Sequence, residues 1–559
     1  MKIAIVGGAA GGATAAARLR RISEEYEIVM FEKDAFISYA SCGLPYFIGG
    51  VIKDRDDLEV QTPADMKTRF NIDVRTNSLV AAIDVNEKVL TVRDLKSARD
   101  YRESFDKILL SCGAKPIVPP IKGIDKAKNV FTLRTIPDTM NIKSFIENNK
   151  AKKAVVVGGG FIGVEMAENL RETGLDVTLI EKTAQALAQF DFEMAQIAHR
   201  EMENNGVAVI LNDGVSEFAD EGKIVVLDSQ RQIECDIAIL CIGVAPENTL
   251  AKDAGIKLGQ KGHLVTDKNF NVFLENGEKL QDIYAIGDMI EVINGVDNTP
   301  YAVPLAWGAN RQGRLVADAI SGREIREQKI LGNSVLKIFN LTAAAVGMNE
   351  RTLKAKNIDF TAAHAHRGNH AGYYPGASNI ALKLLFDKDS GKIYGAQGVG
   401  GAGTEKRIDL IGAVMRLGGT IYDLAAMEVC YAPPFSSAKD PVNILGYIAE
   451  NIAEGAYKPV FHYEIDYVAK DCVVLDVRAP FEYNRGHIEN ALNVNIDELR
   501  EKADLLPDDK NEPVYIYCQV GLRGYLAANI LRSMGYNNIY NLSGGYITYK
   551  SYKYEAGKK

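Results

Sequence analysis

The sequence predicts the α/β fold class: two units of parallel strands and helices, an α+β domain, and a small α/β domain at the C-terminus. Three observations point to this architecture. A short apolar strand followed by a glycine-rich turn and a helix occurs twice in the N-terminal part of the chain. A strand-rich stretch follows, and a third strand–turn–helix pattern lies near the C-terminus. A length of 559 residues has room for three or four domains.

Composition excludes several classes of protein. Hydrophobic residues make up 47% of the chain and charged residues 25%, which is ordinary for a soluble globular protein. The net charge of −8 argues against nucleic-acid binding, because phosphates require clustered Lys and Arg. The seven cysteines are scattered without CxxC spacing, so we expect a reducing cytoplasm and no metal site or disulfide framework. No secretory signal or membrane-spanning run is visible, so we expect no membrane partner.

The first strand–turn–helix unit has the pattern of a dinucleotide site. Residues 2–6 form an apolar strand, a glycine-rich turn follows, and the next strand ends at Glu32. Gly7 provides the backbone angles of the turn, Ala9 lets a pyrophosphate approach the helix, and Gly12 lets the helix pack on the strand. Glu32 can accept hydrogen bonds from a ribose. A nucleotide-free α/β domain with a tight turn is the alternative.

A second unit repeats this pattern. Residues 154–157 lead into a turn in which Gly158, Gly160 and Gly163 match GxGxxG fully, and the following strand ends at Glu181. An acid at that position favours an unphosphorylated 2′-hydroxyl, so NADH is expected, with NADPH as the alternative. Two such units in one chain predict FAD and NADH as cofactors. Together they are two Rossmann-like domains.

These units resemble the flavoprotein disulfide reductases that have two dinucleotide domains. Three further segments carry the resemblance: S-C-G-A at 111–114, C-I-G-V-A-P at 241–246 and I-Y-A-I-G-D at 283–288. The resemblance implies an FAD-binding domain formed by 1–113 and 247–325, split around an NAD(P)H-binding domain at 114–246. It also implies that Asp288 hydrogen-bonds the ribityl chain. Further cofactor-binding residues implied are Lys33, Ser111, Gly113 and Gly243.

Cys42 is the candidate redox centre of the first domain. It lies in the string S-x-x-S-C-G-L-P-Y, and Phe47 occupies the position where relatives with an internal dithiol have a second cysteine. Cys42 must therefore work alone, as a mixed disulfide, a persulfide or a sulfenic acid. The string resembles the single-cysteine branch: coenzyme A disulfide reductases, NADH oxidases and peroxidases, and persulfide reductases. A buried cysteine packed as a small hydrophobic residue is the alternative.

The coenzyme A-using members of this branch imply a set of substrate contacts. Arg18 and Arg21 are three positions apart on the first helix, share a face, and could hold a phosphate. A solvated basic face is the alternative. By resemblance, the residues that bind substrate or coenzyme A are Thr14, Arg18, Arg21, Ser38, Ser41, Arg69, Asn310 and Lys439.

Residues 326–450 resemble the dimerisation domain of the same enzymes. Tyr373 in G-Y-Y-P-G and Tyr431 in C-Y-A-P-P-F match two tyrosine segments. The resemblance implies a homodimer in which both tyrosines of one subunit lie over Cys42 of the other. There, phenol donors would stabilise the thiolate and protonate the leaving thiol. Without the resemblance, two core aromatic residues would be the preferred interpretation.

One cysteine and three histidines of this domain are further candidates for reactive or metal-binding residues. Cys430 adjoins the second tyrosine, and we expect it to serve structural packing rather than to approach the other subunit's Cys42. His364, His366 and His370 form a loose group without carboxylate spacing, so we expect a solvated set and no metal ligands.

A small module follows an expected linker at 451–461. Strand 514–517 delivers Cys518 into the loop C-Q-V-G-L-R-G at the start of a helix. Backbone N–H groups and a helix N-terminus beneath a sulfur stabilise its anion, including the outer sulfur of a persulfide. The module, residues 462–559, resembles a rhodanese domain, which implies Cys518 as sulfur carrier and Arg523 as the residue that closes the loop. A phosphatase or an inert remnant is the alternative.

The whole chain resembles the NADH-dependent persulfide reductases, also described as coenzyme A disulfide reductases with a rhodanese domain. This implies FAD, NADH and coenzyme A, and a small-molecule persulfide, polysulfide or coenzyme A disulfide as substrate. Coenzyme A disulfide reduction with a rhodanese side activity is the second interpretation. NADH oxidase or peroxidase chemistry and a redox-sensing sulfur carrier follow it. Whether the two cysteines exchange sulfur directly or through coenzyme A is left open by the sequence.

Overall fold

The computed structural model describes residues 1–326 and 329–557. They divide between two units. The first unit contains Met1–Ile180 and Asp213–Gly332, and the second contains Glu181–Asn212 and Asn333–Lys559. In the described part of the chain, no helix is both long and apolar enough to cross a membrane.

The first unit is built around a six-stranded sheet that is parallel except at one edge. Helix Ala10–Ile22 begins directly after the first glycine turn and packs against helix Ala306–Ile320. The two helices approach closely, because a Cβ added to Gly313 would lie 2.5 Å from the carbonyl oxygen of Gly11. The strands in sheet order are Asn271–Phe273, Lys279–Ala285, Lys107–Leu110, Lys2–Val6, Glu27–Phe31 and Asp73–Arg75.

The second predicted dinucleotide unit supplies four parallel strands to this part of the molecule. Their order is Asp176–Ile180, Lys153–Val157, Ile237–Leu240 and Val130–Thr132. The α-helices of the first unit not named above are Leu44–Ile48, Pro63–Phe70, Ile136–Asn149, Phe161–Glu172 and Thr249–Asp253. Antiparallel strands form the smaller sheets Ser78–Asp84, Val89–Asp94 and Arg99–Ser104; Val215–Ala219, Ile224–Leu227 and Gln232–Glu234; Ala114–Pro116 and Val244–Pro246; Val292–Ile293 and Pro300–Tyr301.

The second unit contains an antiparallel sheet and a parallel sheet. It begins with helix Phe192–Asn204 and strand Val207–Ile210. The antiparallel sheet has the order Ser334–Ile338, Leu341–Gly347, Ile393–Gly400, Asn379–Phe386 and Thr361–Gly368, with helices Glu350–Ala355, Thr404–Arg416, Ile421–Ala426 and Pro441–Ala453. The parallel sheet has the order Lys458–Val460, Ile539–Leu542, Val514–Tyr517, Val473–Asp476 and Leu492–Asn493, with α-helices Ile465–Val468, Pro480–Asn484, Leu522–Ser533 and Gly545–Tyr552.

The predicted fold class is confirmed, and one boundary needs correction. The range 451–461, expected to be a linker, contains the end of helix Pro441–Ala453 and the strand Lys458–Val460. That strand pairs in parallel with Ile539–Leu542 and forms an edge of the C-terminal sheet. Proline at position 459 obscures it in the sequence, and proline is tolerated there because an edge strand leaves one row of N–H groups unpaired.

Candidate active site

The first glycine turn borders a cleft of about 540 Å³. Gly7 has a φ of 101°, and a Cβ there would lie 2.3 Å from the Ser111 carbonyl oxygen. A Cβ on Gly12 would lie 2.0 Å from the Gly7 carbonyl oxygen, so both positions require glycine. The predicted cofactor residues that line the cleft are Gly7, Ala9, Glu32, Lys33, Ser111 and Gly113.

Glu32 is fixed at the edge of this cleft by backbone donors. Its carboxylate accepts hydrogen bonds from the amides of Gly8 at 2.8 Å and Asp34 at 3.1 Å. Burial nevertheless raises the pKa of Glu32 above its ordinary value. Lone pairs remain for ribose hydroxyls, so the turn and the acid together fit a dinucleotide.

Arg134 is a cleft residue that the sequence did not reveal. Its guanidinium donates to Asp288 across 2.9 Å and lies 3.3 Å from the position that a Cβ on Gly113 would take. Arg134 follows strand Val130–Thr132 without any motif of its own. It therefore connects Asp288, expected to contact the ribityl chain, to the cleft-lining residues.

The second glycine turn has the same steric requirement for glycine as the first. Gly158 has a φ of 102°, and a Cβ there would lie 2.6 Å from the Cys241 carbonyl oxygen. A Cβ on Gly163 would lie 1.9 Å from the Gly158 carbonyl oxygen. Gly160 differs, because the nearest atom to its Cβ position is 4.0 Å away. The open side at Gly160 is what a pyrophosphate needs in order to approach the backbone.

Two other predicted cofactor residues have well-defined surroundings. Glu181, in the second unit, accepts hydrogen bonds from the amide and the hydroxyl of Thr183, both at 2.8 Å. Gly243, in the first unit, has a φ of 117°, and its carbonyl accepts a bond of 3.0 Å from the Ile117 amide. That backbone angle favours glycine.

Cys42 opens into a second cleft of the first unit, of about 530 Å³. It lies in the 3₁₀ turn Ser41–Gly43, directly before helix Leu44–Ile48. Ser38 has a left-handed φ of 42°, a conformation that costs a serine about 1–2 kcal/mol. Its backbone N–H donates to Gly8 across 2.8 Å, which holds the segment in place. The predicted residues lining this cleft are Thr14, Arg21, Ser38, Ser41, Cys42 and Asn310.

Glu165 is a neighbour of Cys42 that the sequence did not reveal, and Tyr46, the last residue of the Cys42 string, is hydrogen-bonded to it. Burial raises the pKa of the Cys42 thiol, and the charge of Glu165 raises it further. Burial also raises the pKa of Glu165, to about 7, and Tyr46 donates a hydrogen bond of 3.3 Å to its carboxylate. Glu165 lies in the helix after the second glycine turn, which sequence reasoning assigned to cofactor binding alone. A carboxyl that titrates near neutrality therefore influences the thiol.

Three expected substrate residues do not line the Cys42 cleft. Arg18 instead donates to Asp318 through Nε at 3.1 Å and Nη2 at 2.7 Å. A carboxylate thus compensates the half-buried guanidinium of Arg18, and the phosphate clamp of Arg18 with Arg21 stays a prediction. Arg69 is exposed on helix Pro63–Phe70, and Lys439 is exposed in the second unit.

The two predicted tyrosines meet in the second unit. The hydroxyl oxygens of Tyr373 and Tyr431 lie 3.0 Å apart, and the residues are 76% and 49% exposed. Their mutual hydrogen bond raises the pKa of Tyr373. These values exclude the core-aromatic alternative. Cys430 is also exposed, so the expectation that it serves structural packing was wrong. It lies in a segment without helix or strand, where few side chains surround it.

Arg407 connects the two segments that carry the tyrosines. It is 1% exposed and donates to Asp440 at 2.7 Å and to the carbonyl of Asn369 at 2.8 Å. The Ala371 amide donates to the Ser436 carbonyl at 3.0 Å, which ties the segments together again. Burial would raise the pKa of Asp440, but hydrogen bonds from Arg407 and Ser436 hold it below its ordinary value. No sequence motif marks Arg407.

Cys518 lies at the predicted strand–helix junction and is completely buried. The Gly521 amide donates to its sulfur across 3.2 Å. Gly521 has a φ of 97° and directly precedes helix Leu522–Ser533, so the turn needs glycine to aim its N–H at the sulfur. Arg523 donates to both carboxylate oxygens of Glu482 at 2.7 Å, and this pairing raises its pKa. Glu482 therefore determines where Arg523 can reach.

The histidine group is not solvated, contrary to the prediction. His364 is 2% exposed, His370 is 9% exposed, and His366 is half-buried. His364 also contacts a carboxylate, because its Nε2 lies 3.1 Å from Glu193 Oε1. The acid comes from helix Phe192–Asn204, far away in the sequence, so local spacing could not reveal it.

Glu193, His364 and His462 are close enough together to hold a metal ion. The buried ammonium of Lys383 already provides a cation to the same cluster. It lies 2.5 Å from Glu193, 2.6 Å from Glu350 and 2.9 Å from Asp191. The structure therefore accounts for these carboxylates as partners of a lysine.

Comparisons with known proteins agree with this geometry. A family model described as pyridine nucleotide-disulphide oxidoreductase matches residues 1–310, the dimerisation domain of that family matches 334–441, and a rhodanese-like domain matches 465–551. A coenzyme A disulfide reductase of Staphylococcus epidermidis is 38% identical over 451 residues, which cover 80% of this chain and 100% of that protein. The corresponding protein of Staphylococcus haemolyticus is 37% identical over 452 residues, 81% of this chain and 100% of its own.

Two solved structures cover nearly the whole chain. Reduced Bacillus anthracis CoADR-RHD matches with a TM-score of 0.95 and 47% identity, covering 99% of this chain and 98% of its own. An NAD-dependent persulfide reductase from A. fulgidus matches with a TM-score of 0.91 and 33% identity, covering 98% and 100%. The chain thus resembles these proteins in all of its domains.

Proposed function

Because the chain belongs to the pyridine nucleotide-disulphide oxidoreductase family, we propose that it is an FAD-dependent reductase that converts persulfides and polysulfides to thiol and sulfide with NADH. One observation carries the proposal: the chain has two cysteines in sites suited to sulfur chemistry. Cys42 opens into a cleft of the first unit, and Cys518 lies in a loop whose amide holds its sulfur. The solved persulfide reductase and CoADR-RHD match both parts of the chain.

The residues of the first unit fit the cofactor that this reaction needs. When bound, FAD supplies two-electron transfer between NADH and a sulfur centre. The turn at Gly7, Ala9 and Gly12 would hold its pyrophosphate, and Glu32 its ribose. Gly160 and Glu181 would bind the pyrophosphate and the ribose of NADH. The acid at Glu181 disfavours a 2′-phosphate, so NADH is preferred over NADPH.

The sulfur steps follow from the two cysteines. The Cys518 thiolate attacks the outer sulfur of RSSH, the S–S bond breaks, and RSH leaves with the proton. Cys518 then carries a persulfide whose charge the Gly521 amide stabilises. Transfer of that sulfur to Cys42, directly or through the thiol of coenzyme A, and two-electron reduction release sulfide. The balance is RSSH + NADH + H⁺ → RSH + H₂S + NAD⁺.

The exposed tyrosine pair supports a homodimer with shared sites. Tyr373 and Tyr431 of one subunit would cover Cys42 of the other and protonate the departing thiolate. The match to a dimerisation domain and the exposure of both side chains support this arrangement. Arg21, Thr14 and Asn310 in the Cys42 cleft, and Lys439, would bind coenzyme A. We expect the dimer to act in the cytoplasm.

Reduction of coenzyme A disulfide is the second candidate function. The Staphylococcus relatives carry that name, and they match 80% and 81% of this chain. Under this alternative, Cys42 would be the only cysteine that takes part in the reductase reaction, and Cys518 would contribute a side activity.

Anaerobic NADH oxidation distinguishes the two candidates. Coenzyme A persulfide or polysulfide is compared with coenzyme A disulfide, sulfide release is measured, and the variants Cys42→Ser and Cys518→Ser are run beside the wild type. The proposal predicts a preference for persulfide, stoichiometric sulfide and loss of this activity in both variants. A preference for the disulfide together with full activity of Cys518→Ser would show the second function instead.

A further inference from the structure

The Cys518 loop rests on a segment that lies outside the motif, residues 543–548, which includes the first turn of helix Gly545–Tyr552 and is here called the supporting turn. The Tyr546 amide donates to the Cys518 carbonyl at 2.8 Å, and the Ile547 amide donates to the Gln519 carbonyl at 3.1 Å. These bonds tie two consecutive carbonyls of the loop to two consecutive amides of the turn. The backbone of the loop therefore follows any movement of the supporting turn.

The contact between loop and turn leaves no free space. Gly545 has a φ of 63°, and a Cβ there would lie 2.5 Å from the Cys518 carbonyl oxygen and 2.8 Å from the Gly521 nitrogen. That same nitrogen carries the N–H that donates to the Cys518 sulfur. The position of the supporting turn thus determines the geometry of the sulfur-binding amide.

The opposite side of the supporting turn is held by two histidines of strand Thr361–Gly368. His364 and His366 are two positions apart and therefore point to the same face of the strand. His364 Nδ1 lies 2.9 Å from Ser543 Oγ, and His366 Nε2 lies 2.7 Å from Thr548 Oγ1. Both hydroxyl-bearing residues are 2% exposed, so water does not compete for these bonds.

Packing reinforces the two hydrogen bonds. Gly544, between the two contacts, has a φ of 71°, and a Cβ there would lie 2.1 Å from Thr548 Oγ1 and 2.9 Å from His364 Cβ. The turn therefore packs against the strand too tightly for a side chain at position 544. This strand belongs to the antiparallel sheet, outside the rhodanese module.

The contacts of His364 fix its tautomer. Glu193 lies 3.1 Å from Nε2, and a carboxylate can only accept, so Nε2 carries the hydrogen. Nδ1 is then an acceptor, and Ser543 donates to it. Burial would raise the pKa of Glu193, but Lys383 and the histidines keep it well below its ordinary value, so the acceptor stays charged. Burial lowers the pKa of His364, which keeps the ring neutral.

We propose that His364 and His366 are positioning residues for sulfur transfer at Cys518: they hold the supporting turn, and the turn sets the Gly521 amide against the sulfur. This inference rests on the proposed role of Cys518 as sulfur carrier. Neither histidine touches the reacting sulfur. They act through Ser543 and Thr548, across the boundary between the antiparallel sheet and the rhodanese module.

The test uses the full-length holoenzyme and three variants. His364→Ala removes the acceptor, and His364→Asn keeps a side-chain oxygen near the place of Nδ1. His199→Ala is the matched control, because His199 is also buried and its hydrogen bonds are to Gln196 and the Ala186 amide rather than to the supporting turn. For each protein, kcat and KM of thiosulfate-to-cyanide sulfur transfer are measured. The rate of Cys518 alkylation is followed by mass spectrometry of its peptide.

We expect His364→Ala to lower the kcat of sulfur transfer about tenfold or more with little change in KM, because a misplaced donor weakens the reacting geometry rather than substrate binding. His364→Asn should recover most of this loss, and His199→Ala should keep the wild-type kcat. The inference is overturned if His364→Ala keeps the wild-type kcat and alkylation rate, or if His199→Ala loses as much. If the Cys518→Ser variant, measured in the same assay, kept the sulfur transfer of the wild type, that result would instead contradict the proposed function.

Discussion

The hydroxyl oxygens of Tyr373 and Tyr431 lie 3.0 Å apart, although 58 positions of the chain separate the two residues. Both phenols are exposed, and a pair of exposed phenols is unusual unless another surface covers it. In the proposed homodimer, that surface is the Cys42 cleft of the other subunit.

Removal of one phenol should slow reduction without affecting the cofactors. We expect Tyr431→Phe to lower kcat for coenzyme A persulfide by about 10²-fold, because the departing thiolate loses its proton donor. Flavin reduction by NADH, followed by stopped-flow absorbance, should keep its wild-type rate. Tyr422→Phe, an exposed tyrosine of the same unit, is the control and should be unaffected. A kcat of Tyr431→Phe within twofold of the wild type would contradict the role of the pair.

Arg407 should be essential for the stability of both tyrosine segments. Arg407→Met leaves Asp440 buried and unpaired, which costs about 3–5 kcal/mol. We expect a lower midpoint of thermal unfolding and a parallel loss of the Tyr431-dependent activity. The double variant Arg407→Met, Asp440→Asn should recover part of the stability, since no charge remains buried. A single variant as stable as the wild type would refute this assignment.

The same ion pair predicts a dependence of stability on pH. The pKa of Asp440 is lower in the folded protein than in the unfolded chain, so its contribution is complete above the ordinary pKa of an aspartate. The contribution is lost as the pH falls below that value and through the folded pKa. Between pH 6 and about 3, the wild type should therefore lose more of its unfolding free energy than the double variant. Denaturant titrations at each pH measure the difference.

Glu165 should control the reactivity of Cys42. The pKa of Glu165 is about 7, so its carboxyl becomes charged as the pH rises through neutrality and then opposes the thiolate. We expect Glu165→Gln to speed alkylation of Cys42 about threefold to tenfold at pH 8, with a smaller effect at pH 6. Mass spectrometry of the Cys42 peptide measures the rate. Glu172→Gln, at the exposed end of the same helix, is the comparison, and an equal effect there would show that net charge alone matters.

Substitutions at two glycines of the second turn should affect different properties, NADH binding at Gly160 and stability at Gly163. At Gly160 the atom nearest to an added Cβ is the Cys241 carbonyl oxygen, 4.0 Å away, so Gly160→Leu should fold and keep its flavin while KM for NADH rises about tenfold or more. Gly163→Ala places its Cβ 1.9 Å from the Gly158 carbonyl oxygen and should lower the unfolding temperature. Steady-state kinetics and thermal unfolding separate the two effects. An unchanged KM for NADH in Gly160→Leu would remove Gly160 from the binding site.

Much of the fold could be read from the sequence because its signals are local. In each dinucleotide unit the strand, glycine turn, helix and acid are neighbours in the chain, and the turn requires glycine for steric reasons that hold in any context. The Cys518 loop is likewise contiguous, so its strand, cysteine and helix were predicted in place. The strand Lys458–Val460 was missed, since a short edge strand containing proline has no pattern of its own.

By itself, then, the sequence determined the domain order and the two glycine turns, and it predicted Cys42 and Cys518 as the reactive cysteines. Only the tertiary structure decided which distant groups meet. It paired Arg18 with Asp318, 300 positions away, and His364 with Ser543, 179 positions away. The physical reason is that a buried charge or polar group takes whichever partner the packing of the chain brings within hydrogen-bond distance. That choice depends on the whole fold, and no local spacing records it.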